Sequence, residues 1–123
     1  MNQPSNSPNL YARDATAKDL TALTKLKAPL ALHRDRLRDA QVATFRYLVL
    51  LQADTIIGFG CLVFVRPASW SDAHDTSRLP QIVDVMISEP LRSRGYGSYL
   101  IGSLEKLAAQ HGCAEIFIAV ENP

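Results

Sequence analysis

The stretch that most constrains this chain is RSRGYGS at residues 92–98, where Gly95 and Gly97 lie one residue apart between a β-prone run and a helix-periodic run. Before it, residues 81–88 read QIVDVMIS, apolar and β-branched enough to predict a strand. After it, a helix is predicted to begin near Ser98. Leu100, Ile101, Leu104, Leu107 and Ala108 recur on one helical face while Ser103, Lys106 and Gln110 fall opposite. Gly112 stands where a left-handed residue closes a helix, and a further strand is expected over residues 114–120. Two strands joined by one helix form a βαβ unit, so a parallel strand pair with a right-handed crossover is expected.

A helix N-terminus carries unpaired N–H groups and the positive end of the helix dipole, and glycine lets an anion approach the backbone without a Cβ in the way. Arg92 and Arg94 add donors suited to phosphate oxygens. A tight turn with solvated arginines is the plainer alternative, and the strand before and the amphipathic helix after argue against it. A dinucleotide fingerprint would place a third glycine where Leu100 stands, and a P-loop would need a lysine that the turn lacks. The arrangement suits a pyrophosphate, and both of these rival readings fit it poorly.

Upstream, residues 10–13 suit a short strand, and Thr16 is placed as an N-cap with Asp19 three residues on, ahead of Leu20, Leu23 and Leu26. That helix should end before Pro29. Residues 30–41 predict a second helix, exposed and weakly amphipathic, because Arg34, Asp35, Arg36, Arg38 and Asp39 crowd it. Residues 46–52 and 55–65 predict a hairpin about Ala53 and Asp54, and residues 66–80 a long polar loop. The order β, α, α, β, β, β, α, β is that of an α/β layered domain.

With 123 residues the chain has room for one core, so a single domain over residues 10–123 behind a short disordered leader, residues 1–9, is expected. Thirteen basic against twelve acidic side chains argue against a general nucleic-acid or anionic-membrane binder. No apolar run approaches the ~20 residues of a membrane span, and no secretory signal opens the chain, so a cytoplasmic location is the default expectation. Cys61 and Cys113 lack the neighbours of a zinc site and are expected in the core, with no metal.

Residues 87–98, ISEPLRSRGYGS, followed by the amphipathic helix, resemble motif A of the GNAT superfamily of N-acyltransferases, whose core is Arg/Gln-x-x-Gly-x-Gly/Ala. The resemblance implies a layered, mixed α/β sheet flanked by helices, here ending before the segment that usually completes that fold. It implies acetyl-CoA or another acyl-CoA as cofactor, its pyrophosphate held by the backbone of Ser93, Arg94, Gly95, Tyr96, Gly97 and Ser98 beside Arg92. It also implies that a bulged strand offers the backbone of Val85, Met86 and Ile87 to the pantetheine arm. The expected reaction is direct transfer of an acyl group to the amine of a small molecule or peptide, without a covalent intermediate on either cysteine.

The two positions where the family carries a general base are Gln81 and Ala119 here, and neither side chain titrates. Asp84, His74, Asp75 and Glu121 remain, with Asp84 first because it lies on the cofactor strand, and the catalytic residue stays unassigned. Residues 27–41 and 66–80 are the expected acceptor surface, where Trp70 offers an apolar contact and Asp72 and Asp75 offer charge to an ammonium group. A non-catalytic acyl-CoA-binding or assembly module, or a fragment completed by a partner segment, is the competing reading. Pairing into a homodimer is compatible with either.

Overall fold

The computed structural model describes residues 9–41, 45–64, 80–112 and 116–118. Five strands form one sheet in the order β1-β2-β3-β4-β5: β1 (Leu10–Asp14), β2 (Phe45–Gln52), β3 (Thr55–Val63), β4 (Gln81–Ile87) and β5 (Phe117–Ile118). The first four are antiparallel neighbours, and β5 runs parallel to β4 through Gln81↔Phe117 and Ile82↔Ile118. Helices α1 (Leu20–Leu26) and α2 (Leu30–Asp39) lie between β1 and β2 in the chain, and α3 (Tyr96–Gln110) joins β4 to β5. The expected α/β architecture and βαβ unit are thus present.

Strand alternation separates two cores. Leu48, Leu50, Leu62, Ile82 and Ile87 pack against Leu100, Leu104 and Ala108 of α3. Tyr47, Val49, Phe59, Cys61 and Val63 form a second cluster with Leu23 of α1. Because side chains change face at every residue, the alternating register of β2 and β3 supplies both clusters at once. The hairpin between them turns on Ala53 and Asp54, both at positive φ (50° and 70°), the backbone that a two-residue turn needs to match strand twist.

The start of the helical layer is tied down by Asp19. Its carboxylate accepts from the Thr16 amide at 2.8 Å and from both terminal nitrogens of Arg13 at 2.8 and 3.0 Å. A 3-10 turn over Ala17–Asp19 precedes α1 there. Burial alone would raise the Asp19 carboxyl, but these hydrogen bonds outweigh it and hold the group below its ordinary value. A depressed carboxyl stabilises the fold above its unfolded pKa and loses that contribution as pH falls through the folded one. Asp19→Asn should therefore lower stability at neutral pH by about 1–2 kcal/mol and flatten the acid limb of the profile below about pH 4, as read by urea titrations across pH.

Two expectations need correction. Helix α3 starts at Tyr96 and not near Ser98, because Gly95 takes the left-handed conformation (φ 88°) and serves as the N-cap. Tyr96 is buried there, and its hydroxyl accepts from Gln52 Nε2 at 2.9 Å. Helix α2 ends at Asp39 and is not simply a solvated helix, since His33 is completely buried and Arg36 reaches inward.

Candidate functional site

The connection from β4 to α3 is built by local backbone bonds. The Ser88 amide donates to Ile57 O at 2.7 Å, which keeps the end of β4 on β3, and a 3-10 turn over Glu89–Leu91 follows. Ser93 (φ 66°) and Gly95 (φ 88°) both adopt left-handed backbone, a conformation common where successive amides line an anion-binding concavity. The first bond from the α3 backbone to the cap is Tyr99 N–H to Gly95 O at 3.0 Å. The amides of Tyr96, Gly97 and Ser98 precede it and belong to the unpaired first turn.

These residues fit a pyrophosphate. Arg92, Ser93, Arg94, Gly95 and Ser98 are exposed. A Cβ at Gly97 would meet protein only at ordinary distance, Ile87 Cγ1 at 3.8 Å, so internal packing does not require glycine there. Arg92 also braces the loop, since its Nε donates to Ile87 O at 2.9 Å, and this leaves the outer guanidinium nitrogens for an anion. Arg94, by contrast, is on the surface of the loop.

Strand β4 carries a bulge. Phe59 pairs with Met86 and Cys61 with Val83, so Asp84 and Val85 together face Gly60, outside the paired register. Asp84 takes φ 56°, and its side chain emerges on the same face as Val83, toward α1 and α2. Beyond the bulge the alternation is regular. Since the Ser88 amide points to β3, the backbone groups of Met86 also turn to β3, whereas those of Val85 and Ile87 turn away from it. Of the three residues expected to offer backbone to a ligand arm, Met86 is thus committed to Phe59, and the Ile87 carbonyl is taken by Arg92.

Asp84 is not a free carboxylate. Lys27 Nζ donates to Oδ1 at 2.8 Å, and Arg36 Nη1 lies 2.9 Å from Oδ2. The second contact is an ion pair without hydrogen-bond alignment, and the same nitrogen donates to Cys61 Sγ at 2.8 Å. An ammonium substrate would have to displace one of these cations to reach Asp84. Nearby, His33 bridges the layers: its Nε2 meets the Lys27 carbonyl at 2.6 Å, and its Nδ1 meets the Tyr47 hydroxyl. Burial pushes the Cys61 thiol up to about 12, only partly opposed by Arg36, so this sulfur stays protonated. Burial also holds the Tyr47 phenol well above its ordinary range.

The signal for Lys27, His33 and Arg36 was weak in the sequence. Leu30, His33, Leu37 and Ala40 share one helical stripe, and a histidine within such a stripe is the visible trace of a buried polar link. Gln81 is buried at the head of β4. Trp70, Asp72, His74, Asp75, Cys113, Ala119 and Glu121 lie outside the described residues. Among the described residues no group of three or more His, Cys, Asp or Glu side chains is placed to hold a metal, and no helix is long and apolar enough to cross a membrane. An open cavity of about 770 Å³ flanks α3 between Arg13, Arg46, Ser98, Tyr99 and Lys106, but no residue of β4 lines it, and it stands apart from the bulge.

A family model described as the acetyltransferase (GNAT) family matches residues 10–123. Among solved structures, a transcriptional regulator from Bacillus halodurans C-125 aligns with TM-score 0.72 at 17% identity, over 92% of this chain and 83% of its own. A GNAT family acetyltransferase from Staphylococcus aureus subsp. aureus USA300_TCH1516 aligns with TM-score 0.69 at 18% identity, over 93% and 88%. The aminoglycoside N-acetyltransferase AAC(6')-Iy in complex with CoA aligns with TM-score 0.72 at 16% identity, over 91% and 77%. At these identities the likeness is one of fold. A search of curated protein sequences finds no match. The family model covers nearly the whole chain, including the bulged strand, the glycine turn and α3, and on that match the chain belongs to the acetyltransferase (GNAT) family, whose chemistry is acyl transfer.

Proposed function

We propose that this chain transfers an acetyl group from acetyl-CoA directly to the amine of a small molecule or peptide. The observation that carries this reading is the left-handed turn at Ser93 and Gly95, which opens the amides of Tyr96, Gly97 and Ser98 at the head of a fifteen-residue helix. Bound there, acetyl-CoA would supply an activated thioester. The AAC(6')-Iy structure, of similar fold, holds CoA, which supports the class of cofactor.

The chain's own residues divide the work. The amides of residues 96–98 with Ser93, Arg92 and Arg94 hold the pyrophosphate, and the outward backbone of Val85 meets the amide-bearing arm, as a peptide strand meets a sheet edge. The acceptor is met from the side of α1 and α2, where Lys27 and Arg36 border the bulge. Trp70, Asp72 and Asp75 are assigned to that side by residue type alone. Attack needs a neutral amine, and with Gln81 unable to titrate and Asp84 held by two cations, proton removal falls to water or to a residue outside the described segments.

Direct transfer is supported at Cys61, whose buried thiol cannot serve as a nucleophile near neutral pH, and Cys113 lies outside the described residues. Free-thiol release from acetyl-CoA, measured against a broad amine panel, tests the reaction. Amine-dependent release is expected, and Cys61→Ala combined with Cys113→Ala should retain turnover to within about twofold. Loss of turnover in a folded double variant would point to a thiol-acyl route instead. Binding of acetyl-CoA without release by any amine would favour a non-catalytic acyl-CoA-binding module.

A further inference from the structure

Asp84 holds a left-handed backbone (φ 56°) in the middle of a strand, a conformation that is unfavourable for a residue with a Cβ. Aspartate tolerates it better than most residues, yet such a conformer persists where its surroundings hold it. Here the holders come from far away in the chain. Lys27 ends α1, Arg36 lies within α2, and both reach across to a carboxylate whose side chain is only 9% exposed. His33 fixes the same connection by hydrogen-bonding the Lys27 carbonyl. The ion pairs thus tether the helical layer to the one point where β4 leaves its register with β3.

The effect of that tether falls on the next residue. Val85 stands outside the paired register and turns its backbone away from β3, so β3 does not fix its direction. Its aim depends on how the bulge is held. If the carboxylate were released, the extra residue would remain but the bulge could take another backbone conformation, and the Val85 groups would rotate out of the direction a ligand arm requires.

We propose that Lys27, Arg36 and Asp84 form a positioning clamp, in which the two cations hold the β4 bulge so that the Val85 backbone meets the amide-bearing arm of acyl-CoA. This rests on the acyl-CoA reading of the β4–α3 site given above. It assigns Asp84 a structural charge role at that site in place of proton transfer, and it makes Lys27 and Arg36 part of cofactor binding although neither lies on the cofactor loop. The clamp differs from a general contribution to stability in one respect: it acts on the arm end of the ligand and leaves the phosphate end alone.

The test uses the full chain, with acetyl-CoA as the probe, calorimetry for affinity and amide ¹H–¹⁵N spectra for location. In the unaltered protein, saturating acetyl-CoA should shift the amides of Val85, Gly97 and Ser98. Asp84→Asn keeps a residue that tolerates left-handed backbone but removes the charge. It should weaken acetyl-CoA by about tenfold and abolish the ligand-induced shift at Val85, while Gly97 and Ser98 still shift at saturation. Lys27→Met, at a partly exposed helix end that the fold can spare, should give the same pattern with a loss of about threefold, and the double variant should be no worse than Asp84→Asn. Should Asp84→Asn fail to fold, Lys27→Met decides alone.

Retention of both the affinity and the Val85 shift would overturn the clamp. So would equal loss of the shifts at Val85 and Gly97, because that would mark a general structural effect. Failure of the unaltered protein to bind acetyl-CoA would overturn the acyl-CoA reading itself, and the clamp with it, and is told apart from the other outcomes because it needs no variant.

Discussion

Gly95→Asp should abolish measurable acetyl-CoA binding, with a loss of at least about a hundredfold in affinity. Three effects act together. Gly95 sits at φ 88°, so any side chain strains the cap of α3. The new Cβ and carboxylate would occupy the approach to the amides of residues 96–98, and the negative charge would repel a pyrophosphate at the positive end of the helix. Calorimetry on a sample whose circular dichroism matches that of the unaltered chain checks it. Affinity within a factor of about three of the unaltered protein would remove the glycine turn from the binding site. Aspartate tolerates left-handed backbone better than most residues, so strain is the smallest of the three effects and folding should survive.

The largest expected loss of stability is at Gly58. A Cβ there would stand 2.7 Å from the Met86 carbonyl oxygen and 2.6 Å from Ile87 Cδ1. The isoleucine methyl can turn aside, but the carbonyl belongs to the backbone just beyond the bulge and cannot move alone. Gly58→Ala should therefore cost about 2–3 kcal/mol, seen as a fall in Tm of roughly 10 °C. Gly60→Ala meets only side-chain atoms, Leu104 Cδ1 at 3.1 Å and Val85 Cγ2 at 3.2 Å, and should cost less. Equal melting points for Gly58→Ala and the unaltered chain would mean that β3 and β4 can separate without penalty.

The elements that could be read from the sequence are those whose pattern is local. The stripe from Leu100 to Ala108 and the alternation through β2 and β3 carry their own periods, and the glycine turn marks its own position. The start of α3 shifted by two residues because the conformation of Gly95, and not the run of apolar residues, decides where the helix begins. Helix α2 was harder to read for a different reason. His33 and Arg36 look like surface residues until Tyr47, Cys61 and Asp84 supply their partners, and those partners lie well downstream in the chain. Asp84 was visible as a residue of interest, but its engagement by Lys27 and Arg36 is a tertiary fact that no local spacing encodes. Trp70, Asp72 and Asp75, expected from the sequence on the acceptor side, lie outside the described segments.

The bulge also has a consequence for how β4 can vary. Ahead of it, the even-numbered Ile82 faces α3; beyond it, the odd-numbered Val85 and Ile87 do. The extra residue has reversed the parity of the strand, and everything downstream, including the angle at which the chain enters the glycine turn, is set in the reversed frame. Flattening the strand with every residue kept would turn Ile87 out of the α3 core and Met86 into it, whereas deleting one residue at Asp84 would remove the bulge and leave Ile87 facing α3. Chains that keep this bulge should therefore keep the odd spacing between the core positions of Ile82 and Ile87, and an even spacing there would mark its loss.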